Sequence, residues 1–392
     1  MSLNRKHKRK ICFFTGSRAE YGLLKPVMQK LRKDQGVALQ LIVSGSHLSK
    51  DFGMTVREIE KDGFHIYKRI SILTSSNSEV GVGKSIGLGV SKTSEFLNKL
   101  RPDILVILGD RYEALAAAVS ALVLNIPIAH IHGGETTTGA IDEAIRHSIT
   151  KMSHLHFTAT TLYRRRVIQL GENPERVFNV GAVGVENVRK LHLLSHKKLE
   201  NILKLKLNRR NLLVTFHPVT IEGKASLRHF KNLLAVLATL KDTSVIFTKA
   251  NADAYGKDIN QMIDAYVRAH RRTAYVFSSL GQKLYFSTMR HVDGVVGNSS
   301  SGILEAPSLK TGTVNIGDRQ KGRMRAQSIV DCHPTPPSIR KAIKKLYSPA
   351  FKKKLRSTKN PYESKSTANK IARILRSHKL TGILKKEFFN AL

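Results

Sequence analysis

The residues most able to do chemistry sit in short polar turns that close apolar runs. Leu108-Gly109-Asp110-Arg111 ends one run, and Ala129-His130-Ile131-His132-Gly133-Gly134-Glu135 ends another. Ile141-Asp142-Glu143-Ala144-Ile145-Arg146-His147 follows shortly after. Asp110, Glu135 and Asp142 thus bring three carboxylates to one sheet edge. Crowded carboxylates shift one another's pKa, which suits general acid and base work. Each member has a plainer reading when taken singly. A Gly-Asp turn caps many strands, and Asp142 and Arg146 are spaced for an ordinary helical salt bridge. His217, in Phe216-His217-Pro218, is of a kind often found merely satisfied in a loop. His130 and His132, two apart on a strand, point the same way, so a metal is conceivable. A zinc site needs a third ligand, and no HxxE or CxxC partner is near. A polar active-site wall is the better reading, and no metal is expected.

Two further turns suit an anion. Ile11-Cys12-Phe13-Phe14 feeds into Thr15-Gly16-Ser17-Arg18, with a helical run beginning near Glu20. A strand delivering into such a turn usually places an anion, often a phosphate, at a helix N-terminus. Val296-Gly297-Asn298-Ser299-Ser300-Ser301-Gly302 is the second. There small hydroxyls cap a helix, and its free N–H groups and dipole favour a diphosphate. Glu305, one turn on, could take a ribose diol, and Arg319 could complete the anion site. Gly83-Lys84-Ser85 imitates the end of a phosphate loop, but position 78 is Ser where that motif needs Gly, and no clear strand precedes it between Asp51 and Ile72. A flexible glycine-rich loop, a candidate lid, is expected there instead.

The elements that must position these residues alternate along the chain. Strands are expected at 11–15, 39–44, 104–108, 126–131, 155–159, 177–180, 212–216, 244–248, 274–277, 293–296 and 312–316, with amphipathic stretches at 22–33, 91–100, 113–124, 141–151 and 226–240. Such alternation argues for α/β architecture with doubly wound parallel sheets, whose ligands bind beyond the carboxyl ends of the strands. The polar turns lie there. A shift to Lys, Leu and Asn near 186–210 marks a junction. It divides the chain into 1–187, an N-terminal Rossmann-like domain with the carboxylates, and 188–363, a second Rossmann-like domain. Residues 364–392 read as a helix packing back across both.

The 392 residues, 41% hydrophobic, exceed one typical domain. The longest apolar stretch, Ala114 to Ile131, is broken by Ser120, Asn125 and Pro127, and reads as buried helix, turn and strand. The apolar run after the basic N-terminus is too short for a signal peptide. Cys12 and Cys332 fit a reducing compartment, so a cytoplasmic location is expected. Lys+Arg 66 less Asp+Glu 29 gives +37. Nucleic acid is the first partner to weigh. The basic residues are nevertheless spread over the whole chain, and no ribonucleoprotein motif, zinc knuckle or basic zipper occurs. A solvated basic surface is favoured, with nonspecific adhesion to polyanions at low salt.

Taken together, TGSRAEYG, LGDRYE, HIHGGE, IDEAIRHSITKMS, FHPVT, NADAYG, GNSSSG and NIGDRQKGR resemble the hydrolysing UDP-N-acetylglucosamine 2-epimerases, with the nearest likeness to bacterial enzymes of sialic acid synthesis. The motifs run from residue 15 to about 325. Each is weak, but their order and number are specific. Arg18-Ala19-Glu20 also stands where non-hydrolysing relatives usually carry Arg-Pro-Glu. The resemblance implies a two-domain fold of the GT-B type with UDP-sugar in the cleft and no cofactor. It implies that Arg18, His217, Asn251, Asp253, Ser299, Ser300, Glu305 and Arg319 meet the uridine diphosphate, with Glu20 in the first substrate-binding motif. It implies catalytic carboxylates at Asp110 and Asp142, with Arg111, Arg146 and His217 near the leaving phosphate. Many members carry a Glu where this chain has His132, so either His132 or Glu135 takes that acid/base role.

The implied reaction converts UDP-N-acetylglucosamine and water to N-acetylmannosamine and UDP, by elimination and then hydration, for sialic acid synthesis. UDP-N,N'-diacetylbacillosamine, leading to legionaminic acid, is the alternative substrate. A non-hydrolysing epimerase, a GT-B glycosyltransferase requiring another acceptor, and a nucleic-acid-binding protein are further alternatives. A homodimer or homotetramer is expected from the family, with neither membrane nor specific nucleic acid as partner.

Overall fold

A computed structural model describes residues 8–74 and 78–391. The strands are β1 (Arg9–Thr15), β2 (Val37–Ser44), β3 (Lys68–Ile70), β4 (Ile104–Leu108), β5 (Ile128–Ile131), β6 (Leu155–Thr158) and β7 (Val177–Asn179), followed by β8 (Arg210–Thr215), β9 (Thr243–Thr248), β10 (Ala274–Phe277), β11 (Gly294–Gly297), β12 (Gly312–Ile316) and β13 (Ile329–Cys332). They form two sheets in the orders β3-β2-β1-β4-β5-β6-β7 and β10-β9-β8-β11-β12-β13. Every pairing is parallel.

Parallel sheets are covered on both faces, so their strands are apolar throughout, and β4 is buried at all five residues. Alternation along β1 feeds two cores. Ile11 and Phe13 join Leu24, Met28 and Leu31 of helix Arg18–Arg32 on one face. Cys12 and Phe14 join Leu97, Ala117 and Ala121 on the other. The second sheet repeats the pattern, with Leu212, Val214 and Phe247 on one face and Leu213 and Ile246 on the other. Each such Leu or Ile contributes roughly 1.5–3 kcal/mol by leaving water.

Eleven strands stand close to the expected positions. β3 and β13 were not expected, and both are short edge strands. β3 reads Lys68-Arg69-Ile70 and buries only its last residue, so it lacks the apolar run that marks an inner strand. The glycine-rich stretch around Gly83-Lys84-Ser85 is not a loop. It lies inside helix Glu79–Leu100, where Gly89 packs so closely that a Cβ would sit 2.9 Å from the Ala116 Cβ. The closing helix is Thr367–Ser377, shorter than expected. Its Ile371 and Leu375 enter the first lobe's core, and Arg9 donates to the carbonyls of Leu375 and His378, each at 2.8 Å.

Strand order reverses between β1 and β4 and again between β8 and β11. Loops leave such a switch point in opposite directions and open a crevice beyond the strand ends. The turns at 15–18 and 109–111 therefore face those at 216–218 and 297–300. The lobes touch along this line. Arg18 Nη2 donates to Lys249 O (2.8 Å), Ile221 N to Gly139 O (3.2 Å), and Tyr112 Oη to Ala252 O (3.3 Å).

Candidate active site

Asp110 follows Gly109, whose φ of +78° turns the chain sharply out of β4. The Asp110 carboxylate accepts from Arg146 Nη2 and from Thr137 Oγ1, the latter at 3.1 Å. Arg146 also donates to His132 O at 2.8 Å. The helical pair expected between Asp142 and Arg146 does not form, because Arg146 is spent on Asp110 and the His132 carbonyl. The Asp142 carboxyl, in the first turn of helix Ile141–Met152, makes no hydrogen bond to a described residue. Burial, then Asp110 and Asp253, raise its carboxyl to about 7 against the pull of Arg319 and Arg111.

The carboxylate crowd therefore differs from the expected one. Its third member is Asp253, from the loop after β9, while Glu135 stands apart. One Glu135 oxygen lies 2.5 Å from His132 Nδ1, and the other lies 2.9 Å from Arg323 Nη1. Burial would raise the Glu135 carboxyl, but Arg323, His132 and Arg146 outweigh it and hold it well below the ordinary range. His130 and His132 do not share a ligand direction. His130 Nε2 is held by Gly109 O at 2.7 Å and its Nδ1 by Thr150 Oγ1 at 3.2 Å. His132 leaves the strand at a φ of +68° and turns onto Glu135. Among the described residues, no cluster of three His, Cys, Asp or Glu side chains is disposed to hold a metal ion.

The arginines sort into two kinds. Arg111 is buried and saturated. It meets Glu113 at 3.0 and 3.2 Å, Asp253 at 2.9 Å and Glu20 at 3.8 Å, and its guanidinium lies over the Tyr112 ring. Arg18 and Arg319 form no ion pair among the described residues. Arg18 holds only Lys249 O, and Arg319 only Asn298 O at 3.2 Å. Burial lowers the pKa of both. Nearby carboxylates, Glu58 for Arg18 and Asp142, Asp253 and Asp110 for Arg319, offset that burial only in part, and an anion placed directly against either guanidinium relieves the rest. His217 lies between them in effect. Burial, then Arg319, Arg18 and Arg111 depress its ring to about 3 against the contrary pull of Asp253, so the imidazole is neutral.

The first anion turn is not built as expected. Glu20 Oε2 takes the Gly16 N–H at 2.7 Å, so the turn's own carboxylate occupies the amide reserved for a phosphate. Burial, then Glu113, raise the Glu20 carboxyl to about 8 against Arg111 and the Gly16 amide. What this turn offers the cleft is the Arg18 guanidinium. In the second turn, Gly297 has a φ of +136°, and a Cβ there would lie 2.0 Å from Thr215 O, so only glycine fits. The Asn298 amide brackets the His217 backbone, accepting from its N–H (2.7 Å) and donating to its carbonyl (2.8 Å). Ser299 Oγ caps Ser301 N at 3.3 Å, and half-buried Ser300 opens helix Ser300–Leu304. Glu305 is raised to about 8, chiefly by burial. It abuts Gly184 of the other lobe, where a Cβ would lie 2.1 Å from Glu305 Oε1. Asn251, half-buried in the same loop as Asp253, makes no side-chain hydrogen bond to a described residue.

Glu113, Thr137, Asn298 and Arg323 complete the arrangement and were not singled out from the sequence. Glu113, Asn298 and Arg323 lay within quoted motifs, but a motif does not say which partner each member meets, nor that Arg323 alone of the three crosses to the other lobe.

Two facing doubly wound lobes, each bringing an arginine without an ion pair to a crevice that also holds a carboxyl poised near neutrality, define a GT-B-type protein with the groups to hold an anionic ligand and move protons beside it. The family model described as UDP-N-acetylglucosamine 2-epimerase matches residues 29–376. A Campylobacter jejuni protein, GDP/UDP-N,N'-diacetylbacillosamine 2-epimerase (hydrolyzing), is 44% identical over 98% of this chain and 99% of its own. The Escherichia coli polysialic acid biosynthesis protein P7 is 39% identical over 94% of each. A solved Listeria monocytogenes structure titled a UDP-N-acetylglucosamine 2-epimerase superposes with a TM-score of 0.78 at 17% identity, over 98% of this chain and all of its own, which bears on fold alone. The chain belongs to the UDP-N-acetylglucosamine 2-epimerase family, among its hydrolysing members.

Proposed function

We propose that this protein hydrolyses and epimerises a UDP-linked 2-acetamido sugar, and that the sugar is N,N'-diacetylbacillosamine. The carrying observation is that Arg18 of the first lobe and Arg319 and neutral His217 of the second gather at one crevice with the raised carboxyl of Asp142. An elimination that expels a diphosphate needs both halves. Cations must receive charge as it builds on the leaving oxygen, and a group titrating near neutrality must handle the proton.

In this reading a base takes the proton on sugar carbon 2. The released electron pair forms the carbon 1–carbon 2 double bond, and the carbon 1–oxygen bond breaks with its electrons leaving on UDP. Water then adds to the glycal. Its hydroxyl goes to carbon 1, and a proton reaches carbon 2 from the opposite face, giving the 2-epimeric free sugar. Arg18 and Arg319 neutralise the diphosphate, with Ser299 and Ser300 beside it. Glu305, Asn251 and Asp253 serve the nucleoside end. Asp110, Asp142 and His132 carry the protons, His132 with Glu135 behind it. Arg111 and Arg146, expected near the phosphate, are spent on carboxylates and serve to fix the site.

The Campylobacter jejuni relative's name and its near full-length match favour the diacetylated sugar over the UDP-N-acetylglucosamine first expected. The family description and the polysialic acid relative keep the latter as the second reading. Proton and phosphorus NMR in deuterated water, with both UDP-sugars in parallel, tests this. Free UDP with a manno-configured sugar deuterated at carbon 2 establishes the reaction, and the faster substrate names the sugar. No UDP release from either overturns the proposal.

A further inference from the structure

Arg323 belongs to the second lobe, in the loop after β12, yet its contacts here lie on the first. Its Nε donates to Thr136 O at 2.7 Å, and its Nη2 to Thr137 Oγ1 at 3.4 Å. Its Nη1 stands 2.9 Å from Glu135 Oε2 as an ion pair rather than an aligned hydrogen bond. Arg323, Glu135 and His132 are all buried, at 7%, 1% and 4% exposure. Beyond Glu135, His132 Nδ1 is engaged, and His132 Nε2 is buried without a hydrogen-bond partner. Thr137 Oγ1 also donates to Asp110 and accepts from Arg146 at 3.0 Å. One guanidinium from across the cleft therefore touches the supports of both acid/base candidates.

A buried imidazole beside a lone carboxylate is driven toward imidazolium, with both ring nitrogens protonated and no base left. A carboxylate already balanced by a guanidinium has a different effect. It still accepts from Nδ1–H and fixes the ring, but the pair carries no net charge to draw a second proton onto Nε2. We propose that Arg323 is a positioning residue that completes the His132–Glu135 unit from the opposite lobe, keeping His132 as the tautomer protonated on Nδ1 with Nε2 bare. This rests on the epimerase reading above for its chemistry, but not for its geometry. The other charged or titratable groups that reach this unit are Arg146, through the His132 carbonyl, His130, next but one along the chain, Tyr163 and Tyr362, Glu305, Asp110 and Arg319.

Two measurements test it on the full chain. The first, nitrogen-15 NMR of the imidazoles at neutral pH, needs no turnover. The His132 signals, assigned by their loss in His132→Gln, should show protonated Nδ1 and bare Nε2. In Arg323→Gln they should move toward the doubly protonated form, and in Arg323→Lys much less. The second is steady-state kinetics with UDP-affinity measurements. Arg323→Gln should lose about 100-fold or more in kcat, within the range for general acid–base catalysis, with UDP affinity and KM changed less than about threefold. The double variant Glu135→Gln/Arg323→Gln, in which no charge is left unbalanced, should be no slower than Glu135→Gln alone. Unmoved His132 signals in Arg323→Gln, kcat and UDP affinity falling together, or fully additive losses would each overturn the proposal. Absence of epimerase activity in the parent would instead defeat the functional reading, and the nitrogen spectra would still decide the role of Arg323. Arg323→Lys guards against simple misfolding, since it keeps the charge and should recover most of the signal pattern.

Discussion

Asp142→Asn should stabilise this protein at neutral and alkaline pH while removing turnover. The Asp142 carboxyl is raised from an ordinary 3.8 to about 7. That is roughly three units, and each unit is 1.36 kcal/mol, so the ceiling is about 4 kcal/mol. Asp142 is half-buried, and solvent screening cuts this to about 2 kcal/mol. The sign follows from linkage. The folded carboxyl holds its proton more tightly than the unfolded one, so the unfolded state ionises first as pH rises. The cost to the fold is absent below about pH 4, grows up to about 7, and is constant above. Asparagine carries no charge and escapes it. At about 2–4 °C per kcal/mol for a lobe of this size, the variant should melt roughly 4–8 °C higher near pH 8 and no higher near pH 4. Calorimetric melting of both proteins at those two pH values is the assay. A variant equally shifted at both, or less stable near pH 8, would refute the claim that Asp142 is held uncomfortably at neutrality.

Arg319→Ala should weaken UDP binding by about tenfold or more, since a lost charge-assisted contact is worth about 1.5–3 kcal/mol; titration calorimetry with UDP reads it, and unchanged affinity removes Arg319 from the anion site. Arg111→Ala should instead act on the fold. It strands Glu113, Asp253 and Glu20, and breaking a buried pair costs about 3–5 kcal/mol, so a melting point within a degree or two of the parent would contradict its saturated placement. Asp110→Asn should abolish UDP release in the NMR assay and leave UDP affinity within about threefold, because Asp110 is held by Arg146 and Thr137 rather than by the anion cradle. Full activity in that variant would end its catalytic assignment.

The inner strands were legible because each is a continuous apolar run ended by a polar turn, as in Ile104 to Leu108 before Gly109-Asp110. Edge strands β3 and β13 were not, since one face or end meets solvent and charged residues such as Lys68, Arg69 and Asp331 are tolerated there. The helix at Glu79–Leu100 was hidden by Gly81, Gly83, Gly87 and Gly89, which oppose helix by propensity. Tertiary packing overrides that preference where Gly89 lets Ala116 approach. At the site, residue types and strand-end positions were readable, but pairing was not. Spacing suggested Asp142 with Arg146, whereas Arg146 reaches Asp110, 36 positions away. Nothing local could show that Glu20 would fold back onto Gly16 N–H, or that Asp253 and Arg323 would cross the cleft to Arg111 and Glu135.

Those crossings carry a consequence for when the site is chemically competent. Asp142 owes its raised carboxyl to burial and to Asp253 as well as to Asp110, and Asp253 belongs to the other lobe. Glu135 owes its depressed carboxyl first to Arg323, also from the other lobe. Arg18 is sequestered in part by its hold on Lys249 O. With the lobes apart, water would reach all three groups, and each would relax toward its ordinary titration range. The poised acid, the balanced His132–Glu135 unit and the buried setting of Arg18 would be lost together. On the proposed route through a glycal open to addition from either face, the enzyme gains from this arrangement. Proton traffic is then confined to the state in which the lobes, and not bulk solvent, decide which face receives the proton.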